Sequence, residues 1–524
     1  MLTLTDRNRR TRNGRRALAT LAAGLTLALT LSACGGSSNT GASSASTGSA
    51  SLSGPPHGTL TVGLTSFMNT LDPLPYGAKS FYLFNALYDT PITLNGSTPE
   101  PGIVQSWQLA SDDLSLTLHI RPGVTYSDGT PFDASALVWN INWEKQPAQA
   151  SHAMGLWQEV TATAEGTDTV KLAFDKPMPA IFAMLAGAPM VKPDAPTSGI
   201  GTGPFKVASF TPGASLDVVA NPHYWRTGYP RVAAINFKNY LSTSTSALAL
   251  RSGTIDVLLT PDPKQLSTLK AAGDKFLTGP PSHDGYLPSS LTSLLVNTST
   301  PPLNNPLVRQ ALSLAFDREQ YVQTSLSSSG TPAESVVSPT SKAYEASPGT
   351  ASFNLQKAKS LLAQAGVHSL HITVDDVSVL PQSTFLPVYQ QDLAKIGVTL
   401  TINQVDVATW ATIVGPGKFP QLVTQLNSFP DADPAISFGN LDLGGSSEHF
   451  SSPTYTAMLN AAAHETDPAK RLDDYRAIGA YLSQQMFIIP LATGGGVEAA
   501  YAPNVHNVRS AFAGTPDFGT LSLG

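Results

Sequence analysis

The feature that most constrains the fold is a mixture of two hydrophobic periodicities, in an order with no repeat. Alternating apolar residues predict strands, most clearly at 59–64 and at 114–120, where every even-numbered residue of the second run would face inward. Apolar residues spaced by three or four behind a capping Asn or Asp predict helices at 305–315, 354–366 and 467–486. This mixed order indicates an α/β body and not a solenoid or a propeller.

The composition limits the class of protein. The chain has 524 residues, of which 41% are hydrophobic and 13% are charged, with a formal net charge of −6 and one cysteine. This length predicts two or three domains with real cores, and the hydrophobic fraction is too high for a disordered chain. One cysteine excludes a disulfide framework and a four-cysteine zinc site, and the negative charge disfavours nucleic acid as a partner.

Residues 1–33 have the pattern of an export signal peptide. Six arginines lie within 7–16, and an uncharged, largely apolar run at 17–33 follows them. The run ends in Leu31-Ser-Ala-Cys34, which resembles the bacterial lipobox, so we expect cleavage before Cys34 and lipid attachment to it. A spanning helix is disfavoured, because about 17 apolar residues is the short limit for a bilayer. The pattern leaves open whether export follows the general or the twin-arginine route.

Residues 34–56 are expected to form a flexible tether, because nearly all residues between 35 and 54 are Gly, Ser, Ala or Thr. Cleavage removes six Arg and one Asp, which leaves 25 basic and 36 acidic residues and a net charge of −11. We therefore expect acyl chains alone to hold this acidic protein at the extracytoplasmic face of the cell membrane.

Common catalytic and phosphate-binding motifs are absent from the sequence. Gly199-Ile-Gly-Thr-Gly203 looks like a dinucleotide loop, but Pro204 follows and opposes the helix that would bind a pyrophosphate. The ten His residues form no ligand-spaced pair on one helix. The sequence therefore predicts a protein that is not an enzyme and that holds no metal or cofactor, with a secreted hydrolase as the alternative.

Two acids, Asp431 and Asp433, lie in the proline-bounded segment Phe429–Pro434. Acids held beside aromatic residues could form the wall of a cation-binding pocket. A turn with a helix-capping Asp explains the same pattern equally well, so both interpretations stay open.

Nine segments, in this order, resemble the family 5 extracellular solute-binding proteins, the dipeptide and oligopeptide receptors of ABC importers. The resemblance extends over about residues 57–510, and Arg121–Phe132 (RPGVTYSDGTPF) is the most specific of these segments. The segments are Ala86–Thr93, Pro101–Trp107, Arg121–Phe132, Gly201–Phe205, Asn221–Trp225, Ser252–Asp256, Val308–Leu312, Ala315–Arg318 and Ala358–Gly366.

The resemblance implies the α/β fold of class II periplasmic binding proteins, with two lobes joined by a two-segment hinge and an extra subdomain on the first lobe. Lobe one would comprise 57–88, 196–296 and 491–524, and the extra subdomain 89–195. Lobe two would cover 297–490. Proline-rich stretches at 189–196 and 299–306 lie near the implied crossings.

The resemblance also implies a function. The chain would be a monomeric, lipid-anchored receptor that closes its lobes on a small solute, a peptide in the first instance, and delivers it to the permease subunits of an ABC importer. Relatives that take nickel chelates, oligosaccharides, haem or opines keep a non-peptide solute open as the alternative. A third alternative is a surface signalling or adhesion protein that kept the fold and lost transport.

Peptide receptors of this family pair the peptide amino terminus with an acid near an Asp-Pro or Glu-Pro step in lobe two. Asp433-Pro434 matches that step, and the nearest candidate acid is Asp431, one residue from Pro430, where the family usually has it. Further pocket candidates, each with core packing as the alternative, are Phe429, Trp410, Phe67 and Met68.

Overall fold

The computed structural model describes residues 54–65, 67–74, 81–146, 154–278, 290–337, 343–344, 351–378, 380–414, 417–428, 433–441, 452–493, 497–511 and 515–524. All of them belong to one contiguous unit of the chain. No helix within these ranges is both long enough and apolar enough to span a bilayer. The predicted signal peptide, Cys34 and the tether up to residue 53 lie outside the described residues.

Strands and helices are mixed along the chain, as the two periodicities predict. The strands are β1 Thr59–Leu64, β2 Ile92–Asn95, β3 Thr98–Pro101, β4 Val104–Leu109, β5 Ser115–Ile120, β6 Val160–Ala164, β7 Thr169–Phe174, β8 Phe205–Thr211, β9 Ser215–Ala220, β10 Ala234–Asn239, β11 Val257–Leu259, β12 Lys275–Thr278, β13 Ser290–Val296, β14 Thr331–Pro332, β15 Leu370–Val377, β16 Val398–Val405, β17 Leu422–Ser428, β18 Ile488–Thr493, β19 Val497–Tyr501, β20 Val505–His506 and β21 Ser522–Leu523. The α-helices are α1 Phe81–Leu87, α2 Ala134–Glu144, α3 Met154–Trp157, α4 Ile181–Gly187, α5 Thr243–Arg251, α6 Leu266–Ala271, α7 Pro306–Leu314, α8 Arg318–Ser325, α9 Leu355–Gln364, α10 Leu386–Lys395, α11 Val407–Val414, α12 Pro434–Leu441, α13 Pro453–His464 and α14 Pro468–Gln485.

Side-chain caps confirm three predicted helix starts. Asn305, Asn354 and Asp467 each accept a hydrogen bond from a backbone N–H two or three residues later, at the beginning of α7, α9 and α14. These contacts satisfy donors that the first turn of a helix leaves unpaired, so they fix where each helix begins.

One seven-stranded sheet has the order β12-β19-β11-β1-β10-β9-β8. Strand β1 lies parallel to both β10 and β11. Apolar side chains cover both faces, because Val257 and Leu259 pack in one core cluster and Leu258, between them, packs in another.

A six-stranded sheet has the order β14-β18-β13-β17-β15-β16, with β15 parallel to both β16 and β17. Leu294 of β13 packs in a core with Leu312 and Tyr389, whereas Leu291 and Leu295 pack in a second core on the other face. Helices therefore cover this sheet on both sides.

A smaller antiparallel sheet, β4-β5-β7-β6, packs against α2 and α4. In β5, Leu116, Leu118 and Ile120 are buried, as the alternation predicts. The same prediction was wrong for Leu114, which is 36% exposed. Leu114 precedes the strand, and its N–H is bonded to Asp112 Oδ1 within a turn in which Asp113 has a φ of 58°.

The chain passes between the two large sheets at two places, after β12 towards β13 and after β18 towards β19. Strand β12 pairs with β19 in one sheet, and β13 pairs with β18 in the other. The two crossings are therefore neighbours, an arrangement that suits a hinge of two segments. The residue limits given above for the lobes and the subdomain stay a prediction.

Candidate functional site

The carboxyl ends of the parallel strands lie beside the two places where the chain crosses between the large sheets. In the seven-stranded sheet, β1, β10 and β11 end at the edge where β12 ends and β19 begins. In the six-stranded sheet, β15, β16 and β17 end where β18 ends and β13 begins. Only three residues separate β18 from β19, so Thr493 and Val497 are at most about 14 Å apart. Ligands of open α/β sheets bind outside carboxyl ends, so the candidate site lies between these two edges.

Two features lie at the carboxyl edge of the seven-stranded sheet: a buried side-chain oxygen without a donor among the described residues, and a residue with a strained backbone. Asn239, the last residue of β10, donates from Nδ2 to the Gly213 carbonyl over 2.8 Å, but its buried Oδ1 accepts no hydrogen bond from the part of the chain that the structure describes. Thr260, directly after β11, has a φ of 45°. This left-handed conformation is strained for a β-branched residue. The Thr260 N–H donates to the carbonyl of Glu498 in β19 over 2.8 Å.

Glu498 is mostly buried, which is unusual for a glutamate. The residue is 9% exposed, and no side chain or N–H of the described residues donates a hydrogen bond to its carboxyl. Burial raises the pKa of this carboxyl to about 7, because the charged form loses its hydration. Sequence reasoning missed Glu498; the available signal was an acid inside the apolar run Val497–Tyr501, directly after Gly494-Gly-Gly496.

The facing edge of the six-stranded sheet carries buried acids held by neutral donors. Asp376 is fully buried, and it accepts from Ser383 Oγ over 2.7 Å and from Gln404 Nε2 over 2.8 Å. Asp375 accepts from Asn403 Nδ2 over 2.7 Å. These donors come from β16 and from the turn after β15, so the cluster is part of the strand ends.

At this edge, Gln382 provides a side-chain oxygen that has no hydrogen-bond donor among the described residues. Its Nε2 donates to the Gln425 carbonyl in β17 over 3.1 Å, which fixes the orientation of the amide. Its Oε1 is buried, and no group within the described ranges donates a hydrogen bond to it. Each edge therefore presents carbonyl or carboxyl oxygens that a ligand with N–H groups could satisfy.

Asp433 has structural partners. It forms two hydrogen bonds with the Arg471 guanidinium, of 2.7 and 2.9 Å, and both side chains are mostly buried. Asp433 Oδ1 also accepts from the Ala435 N–H over 2.8 Å, in the first turn of α12. Arg471 Nε donates to the Ala462 carbonyl over 3.2 Å, which ties α14 to α13. Asp433 thus caps a helix and anchors an ion pair, whereas Asp431 and Phe429 lie outside the described residues.

The other predicted pocket residues pack against two different cores. Trp410 donates from Nε1 to the Thr424 carbonyl over 3.0 Å and packs against the core that contains Phe438. Met68 is fully buried in the core of the seven-stranded sheet, and Phe67 packs partly buried against the same core. A ligand-binding role for these three side chains stays a prediction.

Helices α12 and α13 contact the small antiparallel sheet region. The His464 ring lies 2.9 Å from the Pro177 carbonyl through Nδ1 and 3.2 Å from Glu159 Oε2 through Nε2. Ala435, Ile436 and Ala463 join the apolar core of that region. The helix that follows the Asp431–Asp433 segment is therefore held between Arg471 on one side and residues of the predicted subdomain on the other.

Comparisons with known proteins agree with the resemblance. The family described as bacterial extracellular solute-binding proteins, family 5 Middle, matches residues 98–447. The glutathione-binding protein GsiB of Escherichia coli K12 is 26% identical over 465 residues, which are 82% of this chain and 88% of that protein.

Solved structures show the same fold. The periplasmic binding protein DppA from Helicobacter pylori, in complex with the peptide STSA, matches 89% of this chain and 98% of its own, with a TM-score of 0.79 and 21% identity. NikA from Brucella suis, in complex with Fe(III)-EDTA, matches 89% of this chain and all of its own, with a TM-score of 0.76 and 20% identity. The expected periplasmic-binding-protein fold is therefore confirmed.

Proposed function

The chain belongs to the family 5 bacterial extracellular solute-binding proteins, and from that premise we propose that its solute is a short peptide and that lipid on Cys34 anchors it. The family is not enzymatic, and its members are solute receptors of ABC importers. This chain is therefore an extracytoplasmic receptor that delivers a small solute to such an importer.

The peptide proposal rests on one observation: the strand ends present side-chain oxygens that can accept hydrogen bonds from a ligand. Among the described residues, none donates a hydrogen bond to the buried side-chain oxygens of Asn239 and Gln382 or to the Glu498 carboxyl. Peptides bring N–H groups and a cationic amine that would satisfy such oxygens. The likeness to a glutathione-binding protein and to a peptide complex supports the same choice. A metal chelate, the ligand type of the NikA complex, is the second candidate.

Capture would work by a shift in population between open and closed forms. A ligand that touches both strand edges makes more contacts in the closed form, and only that difference in contacts can favour closure. The importer would then recognise the closed form. Water-filled side-chain pockets and main-chain hydrogen bonds would make affinity depend weakly on peptide sequence.

Calorimetric titration of the processed protein, purified without denaturation, tests the peptide proposal. Glutathione, Met-Leu and Ser-Thr-Ser-Ala are suitable probes, and we expect at least one to bind with a Kd of about 1 μM or tighter. Absence of binding by all three at millimolar concentration would reject a peptide solute. A nickel–histidine complex titrated under the same conditions would then test the chelate alternative.

Replacing Cys34 with serine is expected to release the protein from the membrane. The reason is that the thiol is the attachment point for the acyl chains, and no helix among the described residues spans a bilayer. Fractionation of cells into membranes and medium measures the change, with Ser37→Ala as the control in the same segment. Wild-type protein found wholly in the soluble fraction would contradict the anchor.

A further inference from the structure

Glu498 occupies a particular position in the fold. It is the second residue of β19, the strand that enters the seven-stranded sheet directly after the three-residue crossing. At this edge β11 ends beside it, and β1 and β10 end further along. The residue is therefore at the hinge side of the candidate site and at the carboxyl edge of the sheet, where a ligand between the two edges would come close.

A buried acid needs a partner, and Glu498 lacks one among the described residues. The pairing of β12 with β19 shifts register at this point, with Thr278 opposite Val497 and Leu277 opposite Ala499, so Glu498 is the extra residue of a β-bulge. Loss of hydration raises the pKa of the carboxyl to about 7, and no neighbouring charge contributes to the shift. The ion pairs among the described residues do not include Glu498, in contrast to Asp433 with Arg471. A cation brought by a ligand would supply the missing partner.

Two further observations at the same edge point to a binding site. Thr260 keeps a left-handed backbone, and its N–H is bonded to the Glu498 carbonyl. Such strain in a β-branched residue is typical of ligand-binding and active sites. Asn239, at the end of β10 and three strands from β19 along the same edge, has a buried Oδ1 with no donor among the described residues. The strained residue thus contacts Glu498 directly, and the unsatisfied acceptor lies at the same sheet edge.

We propose that the Glu498 carboxylate accepts a hydrogen bond from the cationic amine of the bound solute. That amine is a primary ammonium, such as the free amino terminus of a peptide. This inference rests on the proposed peptide function and adds a specific anchor to it. This contact favours closure only as far as it is stronger in the closed form, where the ligand also touches the facing sheet edge. A carboxyl that merely fills the core would make no distinction between ligands with and without a charged amine.

The test compares one peptide in two forms. The peptide among glutathione, Met-Leu and Ser-Thr-Ser-Ala that binds wild-type protein best is titrated beside its N-acetylated form at pH 8, where the Glu498 carboxyl is mostly ionised. We expect wild type to favour the free amine by about 10-fold to 100-fold, because a hydrogen bond to a charged partner is lost on acetylation. In Glu498→Gln the preference should fall below about threefold, mainly through weaker binding of the free amine.

Controls separate the anchor from a general loss of structure. Glu100→Gln removes an exposed acid from β3 and should keep the wild-type preference. Glu498→Asp keeps the charge and should retain part of the preference, whereas thermal unfolding verifies that each variant is folded. A Glu498→Gln variant with the wild-type preference would overturn the inference alone. Wild-type protein that binds none of the peptides would overturn both the inference and the proposed function.

Discussion

Replacing Arg318 with methionine is expected to lower the free energy of unfolding by about 3 to 5 kcal/mol. The guanidinium is buried and makes six hydrogen bonds, five to backbone carbonyls and one to Ser313 Oγ. The carbonyls belong to Ser313, Phe316, Ala333, Ala351 and Pro490. Methionine has a similar length but no donor, so several buried carbonyls would lose a partner.

Burial of Arg318 also disfavours the charged form of its guanidinium. Loss of hydration lowers the pKa of the guanidinium to about 10, which still leaves it protonated at neutral pH. Its bonds join the segment before α8 to β18 and to residues 333 and 351, so it holds distant parts of the chain together. This role explains why arginine, with five N–H donors in a fixed fork, occupies the position.

Thermal unfolding followed by calorimetry measures the loss, and a decrease of about 10 °C in the midpoint is expected for a lobe of this size. Arg309→Met is the matched buried control. Arg309 is similarly buried but donates to two carbonyls, those of Gln485 and Leu303, so its replacement should have a smaller effect. Arg251→Met, on the exposed end of α5, should change the midpoint little. If Arg318→Met does not fold, Arg318→Lys provides a milder form of the same test. An Arg318→Met midpoint within 2 °C of wild type would contradict the argument.

The segments that carried the family resemblance turn out to hold the fold together. Arg318 ends one of them, Ala315–Arg318. Asp89, in Ala86–Thr93, accepts hydrogen bonds from Trp225 Nε1 over 2.7 Å and from Tyr224 Oη over 3.1 Å, in Asn221–Trp225. Residues with such contacts are constrained by packing, whatever the ligand. This explains why the sequence predicts the fold better than the site.

The candidate site depends on topology, which periodicity does not encode. Alternating residues predict β1 and β5 well, but they do not say that β1 lies parallel to β10 and β11, or that β19 enters the same sheet. Glu498 stands in a short apolar run, and nothing in that run shows that the carboxyl lies beside a crossing with no hydrogen-bond donor among the described residues. Asp433 is the opposite case: the helix-capping interpretation is confirmed by its bond to the Ala435 N–H.

Replacing Asp433 with asparagine is expected to destabilise the protein by about 3 to 5 kcal/mol, because the mostly buried ion pair between Asp433 and Arg471 would lose its carboxylate. Asparagine can still accept from the Ala435 N–H through Oδ1, so the helix cap is conserved, whereas its Nδ2 cannot accept from Arg471 Nη1. The change therefore removes the charge and one of the two hydrogen bonds to Arg471. Asp473→Asn is the matched control on the same helix as Arg471. Asp473 pairs with Arg476 at the same 2.7 Å but is exposed, and its loss should cost less than about 1 kcal/mol.

A double-mutant cycle with Arg471→Met decides between a structural and a ligand-binding role for Asp433. If the ion pair is structural, each single variant should be strongly destabilised and the double variant should recover part of the loss, because no uncompensated charge remains. Peptide affinity of the folded double variant should then stay close to wild type. If Asp433 instead holds the ligand amine, Asp433→Asn would weaken peptide binding at least 10-fold while unfolding near the wild-type temperature. We expect the first result, since both carboxylate oxygens of Asp433 are already bonded to Arg471 in the structure.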